Sequence, residues 1–322
     1  MPKSINIDPV ERRKPGELTF KPIQLNQYQK RVKDVKDEYT KEELIHMYRD
    51  MILIREFETM LQDLRATGEY RGTKYSYTGP AHLYLGQEAT AVGQSFILDK
   101  DDLVFGNHRS HGELIAKGMS ALEKLEDKDL MEIMEKSHDG AQLRVVEKGF
   151  KGSVKELATR FYIYGIATEI LGRKNGFAQG LGNSMHAFFI PFGVYPNNAI
   201  VGGSAPVALG AALYRRVNKQ DGIIIANAGD GSLGCGPVWE SMNMAAMDQL
   251  TQLWDEAHKG GLPILFNFNN NGYGMGGQTV GETMAYNVLA RVGAGISPTQ
   301  LHAERVDGYN PLAVIDAMKR KK

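Results

Sequence analysis

Gly222-Ile223-Ile224-Ile225-Ala226-Asn227-Ala228-Gly229-Asp230-Gly231-Ser232-Leu233-Gly234 is an apolar run that ends in one aspartate between two glycines. Consecutive isoleucines closed by small residues read as a short strand buried on both faces, the pattern of a parallel sheet covered by helices. A second run, Pro263-Ile264-Leu265-Phe266-Asn267-Phe268-Asn269-Asn270-Asn271-Gly272-Tyr273-Gly274, repeats the design with asparagines in place of the acid, and Asn271 follows Asp230 by 41 residues. In open parallel sheets ligands bind outside the carboxyl ends of strands, and both polar turns sit at such ends.

Further strand candidates are residues 103–105 and 302–306, beside 223–226 and 264–268, each separated from the next by helical sequence. That alternation predicts a three-layer α/β/α fold with a mostly parallel central sheet. Thr40-Lys41-Glu42-Glu43 is a capping box, followed at helical spacing by Leu44, Met47, Tyr48, Met51, Ile54, Phe57, Leu61 and Leu64, so a long helix is expected to about Thr67. Ser120-Ala121-Leu122-Glu123 and Ser153-Val154-Lys155-Glu156 predict two more helix starts, the second helix ending at Gly172. Asn310-Pro311 predicts the start of a last helix. Residues 1–39 mix Pro, Lys, Arg, Asn and Gln without periodicity and read as an extended arm, leaving 40–322 as the main domain.

Apolar residues make up 42% of the 322-residue chain and charged residues 24%, which excludes disordered and collagen-like classes. The 38 basic and 38 acidic residues cancel, so no global field attracts nucleic acid or an anionic membrane. The single cysteine, Cys235, rules out an internal disulfide and reads as a small filler in a glycine-rich turn. The amino terminus has no apolar signal core and carries Asp8, Glu11 and Glu17, so a cytoplasmic location is expected. Residues 175–214 contain no Asp, Glu, Lys or Arg but seven glycines and three prolines, which reads as backbone packed close to something that excludes charge.

In Gly229-Asp230-Gly231 the glycines permit a tight turn and a close ligand approach. A helix beginning between Ser232 and Pro237 would offer its amino-terminal N–H groups to a phosphate. Asn271 and the Tyr273 carbonyl add hard, uncharged oxygens. With one Asp230 oxygen, two diphosphate oxygens and a water, they complete an octahedron suited to Mg²⁺. More carboxylates would compete with the phosphates for the ion.

GDG followed by NN resembles the signature of thiamine diphosphate enzymes. The stretches YTKEELIHMYRDMILIREFE (39–58), GPAHLYLGQEATAVG (79–93), HRSHGELIAKGMS (108–120), GLGNSMHAFF (180–189), NNAIVGGSAPVALGAAL (197–213) and NNGYGMGGQTVGETM (270–284) resemble, in order, the E1α subunit of 2-oxo acid dehydrogenase complexes over about residues 40–318. The resemblance implies the thiamine diphosphate-binding fold, with Asp230, Asn271 and Tyr273 on Mg²⁺ and Arg109 on the diphosphate. It puts Asn198, Ala199, Ile200 and Val201 under the aminopyrimidine ring, beside the diphosphate turn of Gly229, Gly231 and Ser232, and lets His82, His111 and His186 line the active-site entrance. It implies oxidative decarboxylation of a small 2-oxo acid with acyl transfer to a lipoyl-bearing E2 component. The isolated chain would be inactive, because the glutamate that activates the pyrimidine comes from a β-type partner, and a hetero- or homo-oligomer is expected.

Three departures qualify the resemblance. The family usually has Tyr where this chain has His108, which could still donate one hydrogen bond to a phosphate. The Asp230–Asn271 interval is long, and the excess is assigned to residues 251–261 as an extension of the helix after GDG. The family also continues into another strand and a histidine-bearing loop, so the chain reads as a fragment, a split polypeptide or the α portion of a longer α–β fusion. Two alternatives stand beside the main reading: a transketolase-like or acetoin-type thiamine enzyme, and a non-catalytic assembly subunit. A generic nucleotide-binding protein is the third option, disfavoured by the absence of a P-loop.

Overall fold

The computed structural model describes Ile5 and residues 7–297 and 299–322. Its strands are β1 (Gln24–Leu25), β2 (Glu69–Tyr70), β3 (Thr73–Lys74), β4 (Leu103–Phe105), β5 (Val194–Tyr195), β6 (Ile224–Gly229), β7 (Ile264–Asn269), β8 (Tyr273–Gly274), β9 (Gly277–Gln278) and β10 (Glu304–Arg305). Its helices are α1 (Lys41–Ala66), α2 (Glu88–Ser95), α3 (His111–Lys124), α4 (Asp127–Lys136), α5 (Leu143–Val146), α6 (Val154–Ile170), α7 (Ser204–Val217), α8 (Gly236–Ala245), α9 (Asp248–Thr251), α10 (Ala290–Ile296) and α11 (Pro311–Lys321).

The central sheet runs β5-β4-β6-β7 with every pairing parallel. Alternation along its strands builds the layers. Leu103, Phe105, Ile224 and Ala226 pack on Ala208 and Ala212 of α7, whereas Val104 and Ile225 face Leu98 and Met318 on the opposite side. The expected covered parallel sheet is therefore present. The largest apolar cluster lies outside it, among α1, α3 and α6, with Phe161, Tyr162, Phe177, Phe189 and Phe192 at its centre.

Local signals succeeded where the side chain acts on its own turn. Thr40 and Ser153 each accept from the backbone N–H three residues on, while Glu43 and Glu156 reciprocate, and Asn310 accepts from Leu312 N. Ser120 is a correction. It lies inside α3, where its hydroxyl donates to the Leu98 carbonyl at 2.8 Å. A tertiary acceptor took the group that the sequence offered as a cap. The expected strand at 302–306 shortens to β10 and pairs with β1, outside the central sheet. The excess at 251–261 is also corrected: α8 stops at Ala245 and residues 252–263 form turns, bends and irregular backbone. There Trp254 stacks on His258 at 5.3 Å, Gly260 and Gly261 take positive φ, and Arg216 Nε holds the Gly261 carbonyl at 2.6 Å. In the amino-terminal segment Val35 and Tyr39 are buried, so its last part belongs to the body.

Candidate cofactor site at the strand ends

Because the four central strands are parallel, the loops at their carboxyl ends share one edge of the sheet. Residues 107–109 follow β4, 197–201 follow β5, 230–232 follow β6 and 270–273 follow β7. β6 and β7 are paired through Gly229 and Asn269, so Asp230 and the asparagine turn leave adjacent strand ends. Asp230 is buried, and its Oδ2 accepts from Gly272 N at 3.0 Å and from Thr279 Oγ1 at 2.5 Å. Asn271 Oδ1 accepts from Tyr273 N at 2.9 Å, an Asx turn that leads into the β8–β9 hairpin.

Neither Gly229 nor Gly231 has positive φ. What glycine supplies at 229 is room, since a Cβ there would meet nothing within 4 Å. At Gly272 the φ of +77° does require glycine. Ser232 Oγ donates to the Gly229 carbonyl at 2.6 Å and braces the turn. The helix after this turn, α8, starts at Gly236, and Cys235 at its cap packs beside Gly202. A carboxylate on one strand end and an amide oxygen on the next are donor types that suit a hard divalent ion which also takes phosphate oxygens. Among the described residues no cluster of three or more His, Cys, Asp or Glu is placed to hold a metal.

A basic corner follows β4. Arg109 N donates to Asn107 Oδ1 at 2.7 Å, and the guanidinium donates to the Leu83 carbonyl. The His82 and His108 rings meet edge to face at 4.8 Å. Burial, then His82 and Arg109, push His108 down to about 4, and burial with Arg109 lowers His82 as well. Both imidazoles are neutral at pH 7, leaving as cations of this corner Arg109 and Arg65, whose Nη1 donates to the Ala81 carbonyl at 3.3 Å.

The segment after β5 is held from beneath. His111, at the start of α3, has no accessible surface. Its Nδ1 lies 2.9 Å from Glu58 Oε1 and its Nε2 2.9 Å from Ser184 Oγ. Asn197 Nδ2 donates to the Ser184 carbonyl at 3.0 Å, which links this buried chain to the next residue, Asn198. His111 thus sits inside the protein, not at the entrance, and both its nitrogens are bonded within the fold. His186 is exposed. Asn198 Oδ1 accepts from Ile200 N, Ala199 is half-buried, and Ile200 and Val201 are 72% and 44% exposed.

Several functional supports escaped the sequence. Glu169 is fully buried and takes four backbone N–H groups: Ala178 and Gly180 on Oε2, Gly182 and Asn183 on Oε1. It shapes the loop that delivers Ser184 and His186. Glu58 occupies the apolar stripe of α1 with Ile54, Phe57 and Leu61, and an acid on that stripe was the available signal. Thr279, which braces Asp230, gave no signal of its own.

The architecture defines a class: an open parallel α/β protein with one acid, uncharged oxygens and an arginine–histidine corner on the loops that follow four adjacent strands. Residues 59–159 and 144–322 match the dehydrogenase E1 component family, and the chain belongs to that family. It is 30% identical over 277 residues to a pyruvate dehydrogenase E1 component subunit alpha of Rhizobium meliloti, covering 86% of this chain and 61% of the relative. It is 31% identical over 275 residues to the protein of that name from Zymomonas mobilis, covering 85% and 59%. A mitochondrial type I subunit of Ascaris suum is 30% identical over 243 residues, covering 76% and 46%. The chain thus spans about three fifths of the length of the two bacterial relatives.

Proposed function

We propose that this chain is the E1 alpha-type component of a thiamine diphosphate-dependent 2-oxo acid dehydrogenase, acting with a β-type chain or domain and passing its acyl product to a lipoyl-bearing component. The observation that carries the reading is the grouping of residues 107–109, 197–201, 230–232 and 270–273 on one edge of a parallel sheet. The relatives are named as pyruvate dehydrogenase subunits, which makes pyruvate the first substrate to test.

When bound, the cofactor supplies the carbon nucleophile and electron sink that decarboxylation needs. The chain's part is to hold it. Asp230, the Asn271 amide and the Tyr273 carbonyl would hold Mg²⁺, and that ion would offset diphosphate charge. Arg109 supplies a forked donor to phosphate oxygens. Neutral His108 can donate one hydrogen bond without adding charge. Ile200 and Val201 offer an apolar surface to the ring, and residues 175–214 keep ionic charge away from it. His82 and His186 remain the candidates to face substrate.

A partner is supported by exposed apolar surface. Val207, Tyr214 and Val217 form an outward stripe on α7, adjoining the segment of Ile200 and Val201. Such a stripe suits a lasting contact within a hetero- or homo-oligomer. No helix among the described residues is long and apolar enough to cross a membrane, and a cytoplasmic location is proposed by analogy with the bacterial relatives.

Isothermal titration of the chain with its β-type partner tests the reading. Thiamine diphosphate should bind only with Mg²⁺, and Asp230→Ala should abolish the heat. Pyruvate and branched 2-oxo acids should then turn over with lipoamide or a dye acceptor. Turnover of sugar phosphates alone would establish the transketolase-like alternative instead.

A further inference from the structure

Asn267, Asn269 and Asn271 recur at every second position of β7 and its extension, while Phe266 and Phe268 between them join apolar clusters. One face of the strand is therefore a ladder of amides that ends at a proposed metal ligand. Asn267 pairs in register with Asn227 of β6, and its Nδ2 donates to Asn227 Oδ1 at 2.7 Å. Gln94 of α2 exchanges two hydrogen bonds with Asn227, at 2.7 and 3.1 Å. At the other end Asn269 Nδ2 donates to Glu113 Oε1 at 2.9 Å.

Glu113 closes the ladder. It projects from the first turn of α3 and is 1% exposed, with the buried Tyr84 hydroxyl 3.4 Å from the same oxygen. Its Oε2 has no hydrogen-bond partner. Among the described residues no arginine, lysine or histidine pairs with it, and burial raises the carboxyl to about 8, so it is neutral at pH 7. A neutral acid can accept from Asn269 without leaving an unpaired charge in the core.

We propose that Glu113 is a positioning residue for the metal-binding turn: by fixing Asn269 it sets where Asn271 emerges beside Asp230. The inference rests on the functional reading above. Asn269 is followed directly by Asn270-Asn271, and the backbone of that turn reaches Asp230 through Gly272 N. The backbone of Asn269 stays paired with Gly229, so releasing its side chain from Glu113 loosens the point where the strand hands over to the turn, leaving only the longer 3.4 Å contacts to Tyr84 and Asn267.

The test is Mg²⁺ affinity in the presence of thiamine diphosphate, measured by isothermal titration on the chain assembled with its β-type partner. Glu113→Ala is expected to weaken Mg²⁺ binding about tenfold, the scale of loss when a group that orients a metal ligand is removed. Glu113→Gln keeps an acceptor for Asn269 and is expected to stay within about twofold of wild type on the same scale. If the effect passes through Asn269, the double variant with Asn269→Ala binds no more weakly than Glu113→Ala alone. Tyr162→Phe, which loses a buried hydrogen bond to the Leu114 carbonyl, controls for general destabilisation. Should Glu113→Ala not fold, Asn269→Ala alone carries the test. Wild type that takes up neither Mg²⁺ nor thiamine diphosphate overturns the functional reading. Wild type that binds both, with Glu113→Ala binding as tightly or Tyr162→Phe losing as much, overturns the positioning role alone.

Discussion

Glu113 also makes a prediction that needs no ligand. Its carboxyl moves from the ordinary 4.5 to about 8 because burial penalises the charged form, and its neighbours are the neutral Asn269 and Tyr84. The unfolded chain releases this proton near pH 4.5, while the folded chain keeps it until about pH 8. The folded state therefore binds more protons between those values, and stability falls as pH rises through that window. At about 1.4 kcal/mol per pH unit, wild type loses about 3 kcal/mol by pH 7 and about 5 kcal/mol above pH 8, relative to acid conditions. Glu113→Gln has no proton to release and escapes the loss. Urea unfolding followed by circular dichroism at several pH values gives the difference between the two proteins, in which all other titrations cancel. The variant should gain on wild type steadily from pH 4.5 to 8 and then hold a constant lead. A difference that stays flat across the range would refute a neutral, buried Glu113.

Thr279→Val removes the 2.5 Å donor to Asp230 Oδ2 and should weaken Mg²⁺ binding about tenfold by titration calorimetry, while the fold persists. His111→Ala leaves both Glu58 oxygens buried without a partner and should cost about 3 kcal/mol in urea unfolding, where Glu58→Gln with His111 intact costs less. Glu169→Gln turns one acceptor into a donor facing two backbone N–H groups. Hydrogen exchange should then speed up at Ala178, Gly180, Gly182 and Asn183, leaving the central strands protected.

The sheet was legible because β4, β6 and β7 are apolar runs closed by glycine or asparagine, which placed them from sequence. β5 has two residues, too few for any periodicity, and it was missed. Helix starts were legible at Thr40, Ser153 and Asn310, where the cap bonds its own turn, and misleading at Ser120, where a tertiary carbonyl claimed the hydroxyl. The polar turns at 229–232 and 270–273 could be read because the residue types that hold a hard cation and leave room for phosphate are few. Their supports could not, since each depends on a partner far along the chain: Glu58 and His111 are separated by 53 positions, Asn269 and Glu113 by 156.

Those supports nonetheless follow one rule. α1, α3 and α6 each carry a carboxyl where helical periodicity assigns core: Glu58, Glu113 and Glu169, none more than 1% exposed. Among the described residues none pairs with an arginine or lysine. Glu58 is spent on His111 and through it on the 184–197 segment, Glu113 on the end of β7, and Glu169 on the 178–183 backbone. An apolar side chain at any of the three would pack more cheaply but would leave backbone or amide donors unsatisfied in the core. The helical layer thus serves the site by fixing loops that sheet pairing does not reach. An acid breaking an apolar helical stripe, and not paired with the cation one turn away (Arg55, Lys117 or Arg173 in the three cases), marks where such a loop is held.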